Sequence, residues 1–191
     1  MANLSLALLH SPMTNKEGSI VTTSLTPIDI HDLARSATTF GLKRYYIAHP
    51  SVRMRSLAHE VLAHWVSGSG STYNPDRQEA LSRVYVVSDL EEIIWRHRND
   101  FGKKLRLIAT SARASDKSPN VTQLTFTQAR AKLQDEPDLD YLLMLGTGFG
   151  MASHLLGHAD FFLEPIYGPF EYNHLSVRSA GAILLYTLMG R

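Results

Sequence analysis

The chain is predicted to fold as an α/β protein: a parallel sheet with helices on both faces. Three observations carry that expectation. Short apolar runs rich in strand formers alternate with segments of helical period. Helix-start signals stand where those segments begin. Late in the chain a wholly apolar run, Tyr141–Leu145, drives straight into glycines, as a buried parallel strand does on reaching the sheet edge.

The strands expected are Leu4–His10, Arg44–Ala48, Arg83–Val87, Leu105–Ala109, Tyr141–Leu145 and Phe161–Leu163. Between and after them helices are expected near Asp29–Phe40, Met54–Trp65, Asp89–Arg98, Thr127–Leu133 and Ser176–Met189. Thr26-Pro27-Ile28-Asp29 offers an N-cap followed by proline at the first helical position, and Ser88-Asp89-Leu90-Glu91 has the spacing of a capping box. Two polar stretches, Ser67–Glu79 and Thr110–Asn120, read as surface loops, because core-type elements flank each. No internal repeat is seen, and one domain over residues 1–191 is expected.

Composition narrows the function. The 191 residues are 44% hydrophobic, enough for one well-filled core. Lys+Arg 19 against Asp+Glu 18 gives a net charge of +1, so affinity for nucleic acid must come from a local patch. The absence of cysteine excludes disulfides, thiolate zinc, iron–sulfur clusters and cysteine nucleophiles, and agrees with a cytoplasmic protein. The first ten residues have neither the basic start nor the length of a signal peptide. No stretch reaches the roughly 18 apolar residues of a membrane span.

The glycine turn Gly146-Thr147-Gly148-Phe149-Gly150 lies at the edge where open parallel sheets bind ligands. Glycines after a strand also serve simply to turn the chain, so the pattern by itself is weak. Its position is informative: a dinucleotide fingerprint comes after the first strand of its unit, whereas little chain remains after this one. Glu164 stands about where a ribose-binding acid would, which keeps a Rossmann-type nucleotide-binding oxidoreductase among the alternatives.

The residues beyond the turn are more specific. Phe161–Leu163 leads into Glu164-Pro165-Ile166-Tyr167-Gly168, and Tyr172-Asn173-His174-Leu175-Ser176-Val177-Arg178-Ser179-Ala180 opens an apolar helix. This order resembles the SPOUT superfamily of RNA methyltransferases. In its TrmH-like branch a Leu-Gly turn, an Ile-Pro-Met-x-Gly turn and a Ser-Leu-Asn-Val-Ser turn form the cofactor pocket. Near the N-terminus Asp29-Ile30-His31-Asp32-Leu33-Ala34-Arg35-Ser36-Ala37 looks like that branch's first motif, in which an arginine helps prepare the RNA acceptor. The Asn-His-Leu-Ser-Val-Arg form of the last motif is similar to that of a smaller bacterial SPOUT family.

The resemblance implies S-adenosylmethionine as cofactor, a C-terminal trefoil knot, a homodimer, and a structured RNA as substrate, tRNA before rRNA. It places the cofactor on Leu145, Gly146, Thr147, Gly148, Pro165, Ile166, Gly168, Asn173, His174, Leu175, Ser176 and Arg178. It places acceptor chemistry on Arg35; apart from the resemblance, Asp29, Glu164 and His174 are the candidate proton acceptors, because a nitrogen acceptor must lose a proton during transfer, and His174 equally fits a neutral ring hydrogen-bonded to backbone in the cofactor loop. The matches are not complete. Asp29 and His174 stand where asparagines are usual, and the acidic residue of the second motif is missing, so base and ribose acceptors both stay open.

Other features have a plainer reading beside the functional one. Arg35 on a helix face is placed to pair with Asp32. Arg96, His97, Arg98, Lys103, Lys104 and Arg106 form the densest basic cluster, either an RNA footprint or cations complementing a helix end; Arg178, Arg113 and Arg77 lie in or beside loops and are candidates for the same footprint. His59 and His64 mimic a zinc-protease helix, but five residues turn about 140° around the axis, so no metal site is expected. Trp65 and Trp95 fit helix faces, as core or interface residues. Ala180–Met189 is apolar on nearly all sides, as a helix covered all round would be. Three readings stay open at this point: the methyltransferase, the oxidoreductase, and a catalytically silent RNA-binding module on the same fold.

Overall fold

The computed structural model describes residues 1–116 and 120–190. Its chain order is β1 (Asn3–Leu9), β2 (Met13–Thr14), β3 (Ile20–Val21), α1 (Pro27–Thr39), β4 (Tyr45–Ala48), α2 (Val52–Val66), α3 (Ser69–Tyr73), α4 (Pro75–Leu81), β5 (Val84–Val87), α5 (Leu90–Phe101), β6 (Lys104–Ala109), β7 (Thr122–Leu124), α6 (Phe126–Asp135), β8 (Leu139–Gly146), α7 (Ser153–Leu156), β9 (Phe161–Leu163) and α8 (Val177–Met189). Seven strands form one sheet in the order β5-β4-β1-β8-β6-β9-β7, every pair parallel. β2 and β3 make a small antiparallel pair of their own.

Strand alternation divides the interior in two. On β8, Tyr141, Leu143 and Leu145 join Leu4, Leu6 and Leu8 of β1 on one face; Leu142 and Met144 join Ala7 and Leu9 on the other. The first face is covered by Leu33 of α1, Ala58 of α2, Leu133 of α6 and Leu184, Leu185 and Leu188 of α8. Leu90 and Ile93 of α5 and Leu155 and Leu156 of α7 cover the second. Burial on both sides is why the central strands read as unbroken apolar runs.

Several expectations are corrected. Residues 67–79 are not a plain loop but carry α3 and α4, because Asn74 accepts from the Arg77 N–H and Pro75 takes the first helical position. Over Thr110–Asn120 the backbone is irregular apart from a short helical turn at Ala114–Asp116, and residues 117–119 lie outside the described ones. The cap of α5 is Asp89, which accepts from Glu92, while Glu92 reaches back to the Ser88 N–H; the capping frame sits one residue later than expected. Trp65 packs against the core, but Trp95 is 64% exposed.

The basic cluster of residues 96–106 is not one free surface. His97 is buried against Asp140 at 3.3 Å, Arg96 pairs with Glu92 at 2.8 Å, and Arg106 pairs with Asp160. Lys103 donates to the Pro137 carbonyl. These residues close the amino edge of the sheet, where Arg44 lies over the Phe101 ring and Asn3 donates to Asp140. Among the described residues no helix is long and apolar enough to cross a membrane.

Candidate functional site

At the opposite, carboxyl edge the three central strands β1, β8 and β6 end side by side, and the chain departs from each in a loop. β8 ends at Gly146, whose missing Cβ leaves room for its neighbours: a Cβ there would stand 2.7 Å from Met151 Cγ and 3.1 Å from the Met151 nitrogen. Gly148 (φ 62°) and Gly150 (φ 108°) adopt the left-handed backbone that side chains disfavour. The turn is stitched to β2, since Thr14 N–H donates to the Gly150 carbonyl and Phe149 N–H to that of Thr14.

A second loop leaves the end of β6. The Asn173 side-chain amide donates to the Ala112 carbonyl, and Arg113 donates to that of Phe149, so this loop ties the other two together. The third runs from Glu164 to Ser176. At its start Glu164 N–H bonds to Leu124, and the carboxylate accepts from the Phe126 N–H at 2.6 Å, anchoring the loop on the first turn of α6. At its end Ser176 accepts from the Ser179 N–H and caps α8.

The three loops enclose a cavity of about 340 Å³, within the range of small-molecule sites. Leu145, Ile166, Leu175, Val177 and Leu184 give it an apolar wall; Thr110, Ser111, Arg113, Asn173, His174 and the glycine turn give it a polar one. Among the described residues no main-chain N–H of residues 166–175 bonds to another main-chain group, so the peptide groups of Ile166 and Asn173 to Leu175 remain free to meet a ligand. An apolar slot edged with unspent peptide groups suits a purine nucleoside.

Of the residues expected to hold a cofactor, Leu145, Gly146, Thr147, Gly148, Ile166, Asn173, His174 and Leu175 line this cavity. Pro165 is buried beneath it, and Gly168 is exposed further along the loop. Ser176 and Arg178 face an adjoining open groove between α1 and α8, which also holds Arg35. The chain from Leu175 to Arg178 is thus a partition: Leu175 and Val177 face the cavity, Ser176 and Arg178 the groove.

The residues expected to act on the acceptor are separated by the same wall. Glu164 lines the cavity. Asp29 lies buried, with one oxygen accepting from Arg178 at 2.8 Å and the other from Thr26 at 2.5 Å. Arg178 also reaches Asp32 at 3.4 Å, so the pairing of Asp32 with Arg35 expected from helix spacing is replaced. Arg35 is exposed in the groove with no ion pair among the described residues. Sequence reasoning did not assign Thr110, Ser111, Ala112, Val177 or Leu184 to the site, and offered Arg113 as a loop residue for RNA contact rather than as part of the cofactor cavity. Nothing along the chain reveals that β6 lies beside β8; that strand order brings its loop in.

Beneath the turn a part-buried chain of hydrogen bonds runs from His10 Nδ1 to Thr23 Oγ1 (3.1 Å), on to Thr147 Oγ1 (2.5 Å) and to the Leu9 carbonyl (3.1 Å). One donor per link satisfies it only if His10 carries its proton on Nδ1 and each hydroxyl donates onward. Burial, seconded by His49, pulls the His10 pKa down to about 4 against the opposing pull of Asp29, so the ring is neutral.

A parallel sheet with a nucleoside-sized cavity at its carboxyl edge defines a nucleotide- or cofactor-binding α/β protein. Comparison with known proteins makes the class particular. Residues 3–190 match the family described as SAM-dependent RNA methyltransferase, and the chain belongs to that family, whose cofactor is S-adenosylmethionine. It is 36% identical over 189 residues to an uncharacterized protein of Aquifex aeolicus, covering 99% of this chain and 89% of that one. It is 42% identical over 188 residues to a tRNA (guanine-N(1)-)-methyltransferase of Oleidesulfovibrio alaskensis, covering 98% of this chain but only 42% of that protein. The SpoU methyltransferase AviRb from Streptomyces viridochromogenes, solved in complex with the cofactor AdoMet, has the same fold: TM-score 0.54 at 16% identity, over 98% of this chain and 59% of the other. The SPOUT resemblance is thereby borne out, and the Rossmann-type oxidoreductase is set aside.

Proposed function

We propose that the chain methylates a nucleotide of a structured RNA, tRNA before rRNA, holding S-adenosylmethionine in the cavity and admitting the acceptor at the cavity's rim, where a second copy of the chain presents its groove and its Arg35. The observation that supports this most is the pairing of the two spaces across one wall: a nucleoside-sized cavity with free peptide groups, and beside it an open groove carrying an arginine without an ion pair among the described residues. The cofactor supplies a methyl group already activated on a sulfonium, so the protein's work is to orient, to exclude water and to accept a proton. Leu145, Ile166 and Leu175 exclude water from one side. Arg35 binds a phosphate or steadies charge growing on the acceptor. The second oxygen of Glu164, not used by Phe126, accepts the proton, and Asp29 fixes Arg178, which shapes the groove.

The tRNA substrate is favoured by the Oleidesulfovibrio relative, but more than half of that protein lies outside the match, so its guanine N1 specificity is not carried over. The same reading makes the protein a cytoplasmic homodimer with a C-terminal trefoil knot. Support for the knot is the insertion of β9, the last strand, between β6 and β7, with α8 then packing back on α1 and α6.

The test is transfer of labelled methyl from S-adenosylmethionine to purified tRNA and rRNA pools, with mass spectrometry of the nucleosides. Label in tRNA supports the proposal, and label confined to rRNA overturns the preference. Binding of cofactor and RNA without transfer to either pool would instead make the chain a silent RNA-binding module. Arg35→Ala is expected to keep cofactor affinity within about twofold while lowering turnover at least about tenfold. Unchanged turnover would return Arg35 to a solvated helix face.

A further inference from the structure

Among the described residues Arg113 is the only lysine or arginine lining the cavity, and it is already engaged there. Its Nε and one terminal nitrogen lie 3.2 Å from Asp116 Oδ2, and that same nitrogen donates to the Phe149 carbonyl at 3.0 Å. The other terminal nitrogen has no partner among the described residues. The guanidinium is 57% exposed, while Asp116 is largely covered at 18%. Asp116 does not depend on the arginine, because the Ser111 hydroxyl donates to the same Oδ2 at 2.5 Å. The pair is therefore a latch that can open without leaving a bare buried carboxylate.

We infer that Arg113 binds the α-carboxylate at the amino-acid end of S-adenosylmethionine, and that Asp116 competes for it, holding the guanidinium until cofactor arrives. The inference rests on reading the cavity as the cofactor site. A guanidinium fork suits a carboxylate, and the Phe149 carbonyl holds it against the glycine turn while the other terminal nitrogen keeps no partner among the described residues. The ligand carries one carboxylate, and the described lining offers one permanent cation. RNA phosphate is the other anion with this chemistry, but the open groove already presents Arg35 to it across the wall, whereas Arg113 faces the cavity itself.

The test is calorimetric binding of two nucleosides: S-adenosylhomocysteine, which has the amino-acid end, and methylthioadenosine, which lacks it. In the wild type S-adenosylhomocysteine is expected to bind the more tightly. Arg113→Gln should weaken S-adenosylhomocysteine by about tenfold, the lower end for a half-exposed charge-assisted bond, and leave methylthioadenosine unchanged. Asp116→Asn should act in the opposite direction, tightening S-adenosylhomocysteine about two- to fivefold with methylthioadenosine again constant. Equal loss of both ligands in Arg113→Gln would overturn the inference and make Arg113 a loop tether. Loss of neither, with weaker RNA binding, would overturn it in favour of phosphate. A wild type that binds neither nucleoside would remove the cofactor reading itself, and this inference with it.

Discussion

At the scale of single residues, polar groups buried under the site decide more than the exposed ones. His10 is fully buried, and its Nε2 has no hydrogen-bond partner among the described residues. With an unfolded pKa near 6.5 and a folded one of about 4, the unfolded chain binds the extra proton first as pH falls. The stability carried by the neutral ring is therefore complete above pH 6.5 and is lost between there and about pH 4, up to about 3 kcal/mol. Burial also lowers the pKa values of His49 and His97, so global acid unfolding alone cannot single out His10. Proton NMR can: the His10 ring should stay neutral at pH 5.5, with titration near 6.5 counting against the part-buried chain. None of this was legible in the sequence, where His10 is one apolar strand's last residue. Gly146 was legible as a necessary glycine but for a different reason. The space it leaves is filled by Met151 and Met13, which the chain brings back only through the β2 contact.

Elements were read more successfully than residues, because periodicity is local. Each predicted strand and helix is present, with ends shifted by a few residues, since caps rather than hydrophobic pattern set the boundaries. The elements overlooked are the short ones, β2, β3, β7 and α7, together with α3, which lies within a Gly/Ser run whose composition imitates a loop, and α4, which follows it. Gly70 is there because a Cβ would meet the Trp65 ring at 2.7 Å, a packing demand invisible along the chain. Helix α8 shows the same principle near the site. A Cβ on Gly181 would stand 2.6 Å from Leu33 Cδ2 and 3.2 Å from Leu145 Cδ1, so this glycine lets α8 approach α1 and the end of β8 together. Gly181→Ala is expected to cost about 1–3 kcal/mol in denaturant unfolding and, because Leu145 lines the cavity, to weaken cofactor binding too. A variant as stable as wild type would show that Leu33 yields freely and that the close approach is incidental.

For the molecule as a whole, the fold class comes from alternation of strand and helix, whereas the strand order, and with it the loop from β6, needed the structure. Assembly is where the two meet. The sequence shows α8 as apolar nearly all round, which leaves its inner and outer faces indistinguishable. The structure separates them: Leu184, Leu185 and Leu188 point into the chain's own core, while Ile183 is 39% and Tyr186 63% exposed. Those two continue the face begun by Ser176 and Ser179, which border the groove holding Arg35. Helices paired on that face across a two-fold axis would cover Ile183 and Tyr186 and bring each groove, with its arginine, beside the partner's loop. Ile183→Glu and Tyr186→Glu should therefore convert a dimer to a monomer in sedimentation and small-angle scattering, with circular dichroism unchanged because neither side chain is buried. Leu184→Glu should instead unfold the protomer, since an unpaired charge would enter the core. If the groove needs its partner, the two surface variants should also keep cofactor affinity while losing methyl transfer. Dimers that persist in both would move the interface to another face. Monomers that transfer methyl at the full rate would confine the reaction to one chain.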